Sequence, residues 1–216
     1  VPVLERSELL GIVTSKYDNA ICICGTHGKT TTTSMAAQIL FTAGVDLSAF
    51  IGGKLPCIGG SGRAGKSDIM VCESCEFVDT FLKLYPDVAV ILNVDADHLD
   101  YFGTMENYFQ CKKAFFTSGM AKNAAINADD ERAAELLRDV TIPHMTYGIA
   151  AEADLFARDI EITENGVSFE LRLRNAEYIQ INLRMTGMFN VYNALSAAAC
   201  ALILGVSPEN VRAGLE

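Results

Sequence analysis

Residues 20–44 read AICICGTHGKTTTTSMAAQILFTAG, and the order of chemistry along them decides the fold. Ala20 to Cys24 is an unbroken apolar run, as expected of a strand buried on both faces. A glycine turn follows, and TTTTSMAAQILFTAG reads as a helix closed by Gly44. Strand, glycine loop and helix make the first half of a βαβ unit. Within the turn, Gly25-Thr26-His27-Gly28-Lys29-Thr30 carries the chemistry of a phosphate site. Glycines let backbone donors approach closely, and a helix N-terminus supplies positive potential. Lys29 adds a charge for β- and γ-phosphates, and the Thr30 hydroxyl is a ligand suited to Mg²⁺. The first glycine of the pattern G-x-x-x-x-G-K-[ST] would fall at Ile23, so only the GKT half is present. The alternative is a plain strand-to-helix turn with a surface lysine.

Outward from this unit, Asp68 to Cys72, Val88 to Val94, Asn123 to Asn127 and Met145 to Gly148 are further apolar strand candidates, separated by helical patterns that include one around 106–118. They predict an α/β, doubly wound, mostly parallel sheet. Upstream, residues 4–16 predict a helix with Leu9, Ile12 and Val13 on one face. After residue 153 the pattern changes to alternation. Phe156 to Thr163, Val167 to Arg174 and Tyr178 to Met185 predict a small antiparallel β meander, about residues 155–186, with one wet face. Asn190 to Leu204 predicts a helix packed on most sides, and Ser207-Pro208-Glu209 opens another.

A chain of 216 residues allows one sizeable domain or two small ones. A net charge of −10 without a basic cluster argues against nucleic acid as a partner. No apolar run approaches the ~18 residues of a membrane span. The seven cysteines form an odd set, and several lie inside apolar runs; they are expected to be reduced thiols of a cytoplasmic protein. Cys72 and Cys75 form a C-x-x-C without a second pair at zinc spacing. The chain opens at Val1 and stops at Glu216 in a helical pattern, as expected of part of something longer.

Four further groups are candidates. Glu73, at the end of a strand and near Glu76, sits where a doubly wound sheet binds ligands and can hold Mg²⁺. Asn93 opens the segment NVDADHLD, in which His98 is a metal-ligand candidate among carboxylates. Lys112 and Lys113 follow on a helix, where two solvated lysines are the plain alternative. Asn190 and Asn193 open the last long helix; asparagines can read an adenine edge, or Asn190 can simply cap.

PVLERSELL, CGTHGKTTTTSMAAQIL, ESCEFVDTFL, NVDADHLDYF and GMFNVYNALSAAACAL stand in the order found in the Mur ligases, which the chain resembles over nearly its whole length. The resemblance implies a central ATP-binding domain over 17–216, with 1–16 a linker or the end of a missing N-terminal domain and the C-terminal domain absent. Within the family, THGKTTTTSM and ESCE are similar to the members that join L-alanine to UDP-N-acetylmuramate in peptidoglycan precursor synthesis. By resemblance, Gly25, Thr26, His27, Gly28, Lys29, Thr30 and Thr31 cradle the ATP phosphates. Lys29 serves the γ-phosphate; Thr30 and Glu73 hold one Mg²⁺ and His98 a second; Asn190 and Asn193 join the ATP site, with Asn193 at the adenine. Lys112 stands where several members carry a carbamylated lysine, and is expected here near the site but unmodified. Two positions depart from the pattern: Phe189 stands where these members often have His, and Cys75 where many have Asp. Another Mur-type or folylpolyglutamate-type ligase, or an ATP-dependent switch that does not ligate, are the alternatives.

Overall fold

The computed structural model describes residues 3–74, 81–93, 99–174 and 178–216. Helix α1 (Arg6–Thr14) leads into β1 (Asn19–Cys24), and after the glycine loop comes α2 (Lys29–Thr42). Strands β2 (Ser48–Leu55) and β3 (Gly60–Arg63) flank a 3-10 turn at Pro56–Ile58, and β4 (Ile69–Glu73) follows. Next come β5 (Val88–Ile91), α3 (Leu99–Phe102), α4 (Met105–Thr117), β6 (Asn123–Asn127), α5 (Ala133–Asp139) and β7 (His144–Gly148). Strands β8 (Leu155–Thr163), β9 (Gly166–Leu173) and β10 (Tyr178–Leu183) precede α6 (Met188–Ile203) and α7 (Pro208–Leu215).

The strands form one sheet in the order β10-β9-β8-β7-β6-β5-β1-β4-β2-β3. From β2 through β8 neighbours are parallel; only β2/β3, β8/β9 and β9/β10 are antiparallel. The central strand β1 has Cys22 opposite Cys72 of β4 on one side and Ala89 of β5 on the other. After β1 the chain runs out to β2 and β3, returns to β4 beside β1, and then crosses to β5 on the other side of β1. The carboxyl end of β1 is therefore a topological switch point, where ligands of such sheets bind.

Alternation along β1 explains both cores. Ile21 and Ile23 join the layer beneath α2 and α6, whereas Cys22 and Cys24 face Phe81, Phe109, Phe115 and Phe116. Helix α6 packs on most sides: Val191 and Ala194 through Ala201 are buried, and its small side chains allow close approach to α2. Leu195 is fully buried, and burying such a side chain contributes about 1.5–3 kcal/mol.

Several expectations need correcting. Helix α1 forms, but its buried stripe is Ser7, Gly11 and Thr14, with Gly11 against the Lys83 carbonyl. Leu9 and Ile12 instead point outward. Helix α6 starts at Met188 with Gly187 as N-cap, so Asn190 lies inside the helix and does not cap it. The expected antiparallel meander forms, and it is continuous with the main sheet, because β8 pairs in parallel with β7. The β2–β3 pair went unanticipated: Gly52, Gly53, Gly60 and Gly62 break its apolar pattern.

Cys22, Cys57, Cys72 and Cys200 are free thiols. Cys22 and Cys72 lie with sulfurs 3.3 Å apart, and burial holds the Cys22 thiol well above its usual pKa. Cys75, and with it the C-x-x-C pair, lies outside the described residues, as do Glu76 and residues 94–98 with His98. No helix among the described residues is long and apolar enough to cross a membrane.

Candidate functional site

Gly28 is the N-cap of α2, in the left-handed region at φ +85°. A Cβ there would lie 2.4 Å from the Asn193 carboxamide oxygen, so only glycine fits. Gly28 makes no side-chain capping bond, and the N-terminus of such a helix is suited to an anion. The threonine run divides its labour. Thr33 bonds back to the Lys29 carbonyl, Thr32 donates to Asn193 Oδ1 at 3.1 Å, and Thr30 turns the other way. Thr31 sits half-buried in the first turn.

Thr30 Oγ1 donates to Glu73 Oε2 at 2.8 Å. The same carboxylate oxygen accepts from the Gly52 N–H at 2.9 Å. Lys29 Nζ curls over the loop and donates to the carbonyls of Gly25 and Thr26. The structure thus brings Lys29, Thr30 and Glu73 to one edge. Thr30 and Glu73 supply a hydroxyl and a carboxylate, both hard oxygen donors, which fit Mg²⁺. Among the described residues no group of three or more His, Cys, Asp and Glu could hold a metal. Mg²⁺ is commonly held by one or two side chains together with phosphates and water.

Asn93 and the loop exchange two bonds: the His27 N–H donates to Asn93 Oδ1 at 3.0 Å, and Asn93 Nδ2 donates to the His27 carbonyl at 3.1 Å. Lys112 is 1% exposed and sits behind them. Its Nζ donates to the Asn93 carbonyl at 2.9 Å and to Thr26 Oγ1 at 3.2 Å, and lies 4.3 Å from the centre of the Tyr108 ring. Lys112 is therefore not the solvated lysine of the plain alternative. Lys113 turns away to pair with Asp139.

Beside the loop opens a cavity of 380 Å³, lined by residues that include His27, Asn127, Tyr147, Phe189, Tyr192 and Asn193. Asn193 faces it with its carboxamide already engaged: Oδ1 accepts from Thr32, and Nδ2 donates to Asn190 Oδ1 at 3.1 Å. Asn190 in turn donates to the Thr186 carbonyl. Phe189 stands 68% exposed at this end of α6. Burial raises the pKa of the Tyr147 hydroxyl, and that of Tyr192 is pushed up to about 12 by burial and by its bond to Asp129.

Gly52, Asp129, Tyr147 and Tyr192 had drawn no attention in sequence. The Gly52-Gly53 doublet was the one local signal, since glycine inside a strand marks a close approach. A Cβ on Gly52 would lie 2.5 Å from Glu73 Oε2 and 2.9 Å from Thr30 Oγ1.

The family described as Mur ligase middle domain matches residues 23–201. The UDP-N-acetylmuramate–L-alanine ligase of Caldanaerobacter subterraneus subsp. tengcongensis is 39% identical over 214 residues, 98% of this chain and 46% of that protein. The enzyme of the same name from Acetivibrio thermocellus is 40% identical over 222 residues, 100% of this chain and 47% of that protein. The chain spans about half the length of the curated relatives it matches. In fold it is similar to UDP-N-acetylmuramate-alanine ligase MurC from Thermotoga maritima, with TM-score 0.81 and 24% identity over 96% of this chain and 46% of that one.

Proposed function

The chain belongs to the Mur ligase family, whose middle domain it matches, and from that premise we propose that it is the ATP-binding domain of a ligase joining L-alanine to UDP-N-acetylmuramate. The observation that carries the proposal is the Thr30–Glu73 pair beside Lys29, at the N-terminus of α2. We assign residues 17–216 to this domain, with the antiparallel strands inside it, and residues 1–16 to the link from a preceding one. The other half of the relatives' length leaves room for domains that bind the sugar nucleotide and the amino acid.

In this mechanism the residues position and neutralise charge and form no covalent intermediate of their own. The first-turn N–H groups of α2 donate to phosphate oxygens, and Lys29 exchanges its loop carbonyls for the γ-phosphate. Thr30 and Glu73 would hold Mg²⁺, which offsets the charge of the triphosphate. A carboxylate oxygen of the muramyl lactate attacks the γ-phosphorus; the bond to ADP breaks and an acyl phosphate forms. The amine of L-alanine then attacks the acyl carbon and loses a proton, and the C–O bond to phosphate breaks to leave the amide. Asn190, Asn193 and the adjoining cavity take the adenosine end. His98 lies outside the described residues and keeps the second-metal role that the resemblance implies.

Calorimetry of the chain with ATP tests the proposal. Binding should require Mg²⁺, and Lys29→Ala should weaken it by roughly ten-fold or more, as for loss of a charge-assisted contact. Equal binding by that variant would overturn the phosphate-site assignment.

A further inference from the structure

Asp129 follows β6 and accepts from four donors. The N–H groups of Ile149, Ala150 and Ala151 reach its carboxylate at 2.5, 3.1 and 2.6 Å, and the Tyr192 hydroxyl at 2.9 Å. The three amides belong to the turn after β7 and the hydroxyl to α6, so one carboxylate ties three elements together. Asn127, two residues earlier, accepts from the Asp129 N–H at 3.0 Å and fixes the approach of that carboxylate. Burial alone would raise the Asp129 pKa, but the three amides and Tyr192 hold it below the usual carboxylate range. Its negative charge is thus solvated within the fold by neutral donors.

We infer that Asp129 is a positioning residue for the nucleobase end of the cavity: it fixes the Tyr192 ring and the turn behind Tyr147 as a preformed wall. Tyr192 and Tyr147 both line the cavity, while Asp129 acts through them. A wall that must order itself on binding weakens binding; a wall held in advance does not. The inference rests on the ATP reading above and adds to it the group that shapes the base pocket.

The discriminating measurement compares Mg-ATP with magnesium tripolyphosphate, which carries the phosphates and no base, by calorimetry of the chain. Asp129→Asn and Tyr192→Phe should each weaken ATP by roughly 3- to 10-fold, the scale of one net hydrogen bond, and leave tripolyphosphate within about two-fold. Tyr192→Phe keeps the ring and every amide bond to Asp129, so it reads the pair even where Asp129→Asn unfolds. ATP affinity unchanged in Tyr192→Phe, or ATP and tripolyphosphate weakened alike, would overturn the inference. Lys29→Ala should weaken both ligands. If it weakens neither, the phosphate-site reading fails and this inference falls with it; if it weakens both while Tyr192→Phe spares ATP, only this inference falls.

Discussion

Thr30 and Glu73 lie 43 residues apart and meet through one hydrogen bond of 2.8 Å at the carboxyl edge of the sheet. Their strands explain the meeting. Thr30 follows the loop after β1, Glu73 ends the adjacent parallel strand β4, and Ile23 is paired with Glu73 in the register.

Glu73→Ala removes the anionic half of this pair. We expect it to weaken Mg-ATP by roughly ten-fold or more, the scale of a contact to a charged group, with little effect on ATP when Mg²⁺ is chelated. Titrations with and without a chelator check this; an equal loss in both would show that Glu73 does not act through the metal.

Gly52→Ala places a methyl group against the same two side chains. Both are movable ends, so stability should change by no more than about 1 kcal/mol. Mg-ATP affinity should fall, since Thr30 and Glu73 must part to make room. Thermal unfolding and calorimetry on one sample separate the two effects.

Asn93→Ala deletes the two bonds that clamp the His27 backbone. Each contributes about 0.5–1.5 kcal/mol, so a loss of roughly 1–3 kcal/mol in urea unfolding is expected. Tripolyphosphate should weaken along with ATP, because the phosphate loop itself is loosened. Unchanged tripolyphosphate binding would mean that the loop keeps its shape without Asn93.

Tyr192 and Asp129 set opposite pH limits. The folded pKa of Tyr192, pushed up to about 12, lies above the ordinary ~10. Its contribution to stability is therefore complete below pH ~10 and is lost as pH rises through the folded value. The folded pKa of Asp129 is depressed, so its contribution is present above the ordinary ~3.9 and is lost as pH falls through the folded value. Tyrosinate absorbance, taken as the difference between the native chain and Tyr192→Phe, should give the high value, and Asp129→Asn should lower it.

Lys112 should be found unmodified. Its Nζ donates to a carbonyl and a hydroxyl; a carbamate would set an acceptor oxygen against the Asn93 carbonyl. Native mass spectrometry in bicarbonate, with Lys112→Ala as control, should show no bound CO₂, and a CO₂ adduct confined to the native chain would contradict the expectation.

Much of this architecture was legible locally. The apolar runs of β1, β4, β5, β6 and β7 and the alternation of β8, β9 and β10 announced a doubly wound sheet with antiparallel strands at one end. Glycines, lysine and threonine between β1 and α2 announced the phosphate loop, and Glu73 stood at a strand end. Burial periodicity is a property of a few adjacent residues, and so is a helix N-terminus. Partner choice is not. Leu9 and Ile12 looked like a buried face until Gly11 proved to lie against Lys83. Asn190 looked like a cap until its carboxamide proved to join Asn193 to Thr186. Asp129 finds its amides 20 to 22 residues away and its tyrosine 63 residues away. Those bonds depend on which strands are neighbours, and the strand order emerges only when the chain packs both faces of the sheet at once.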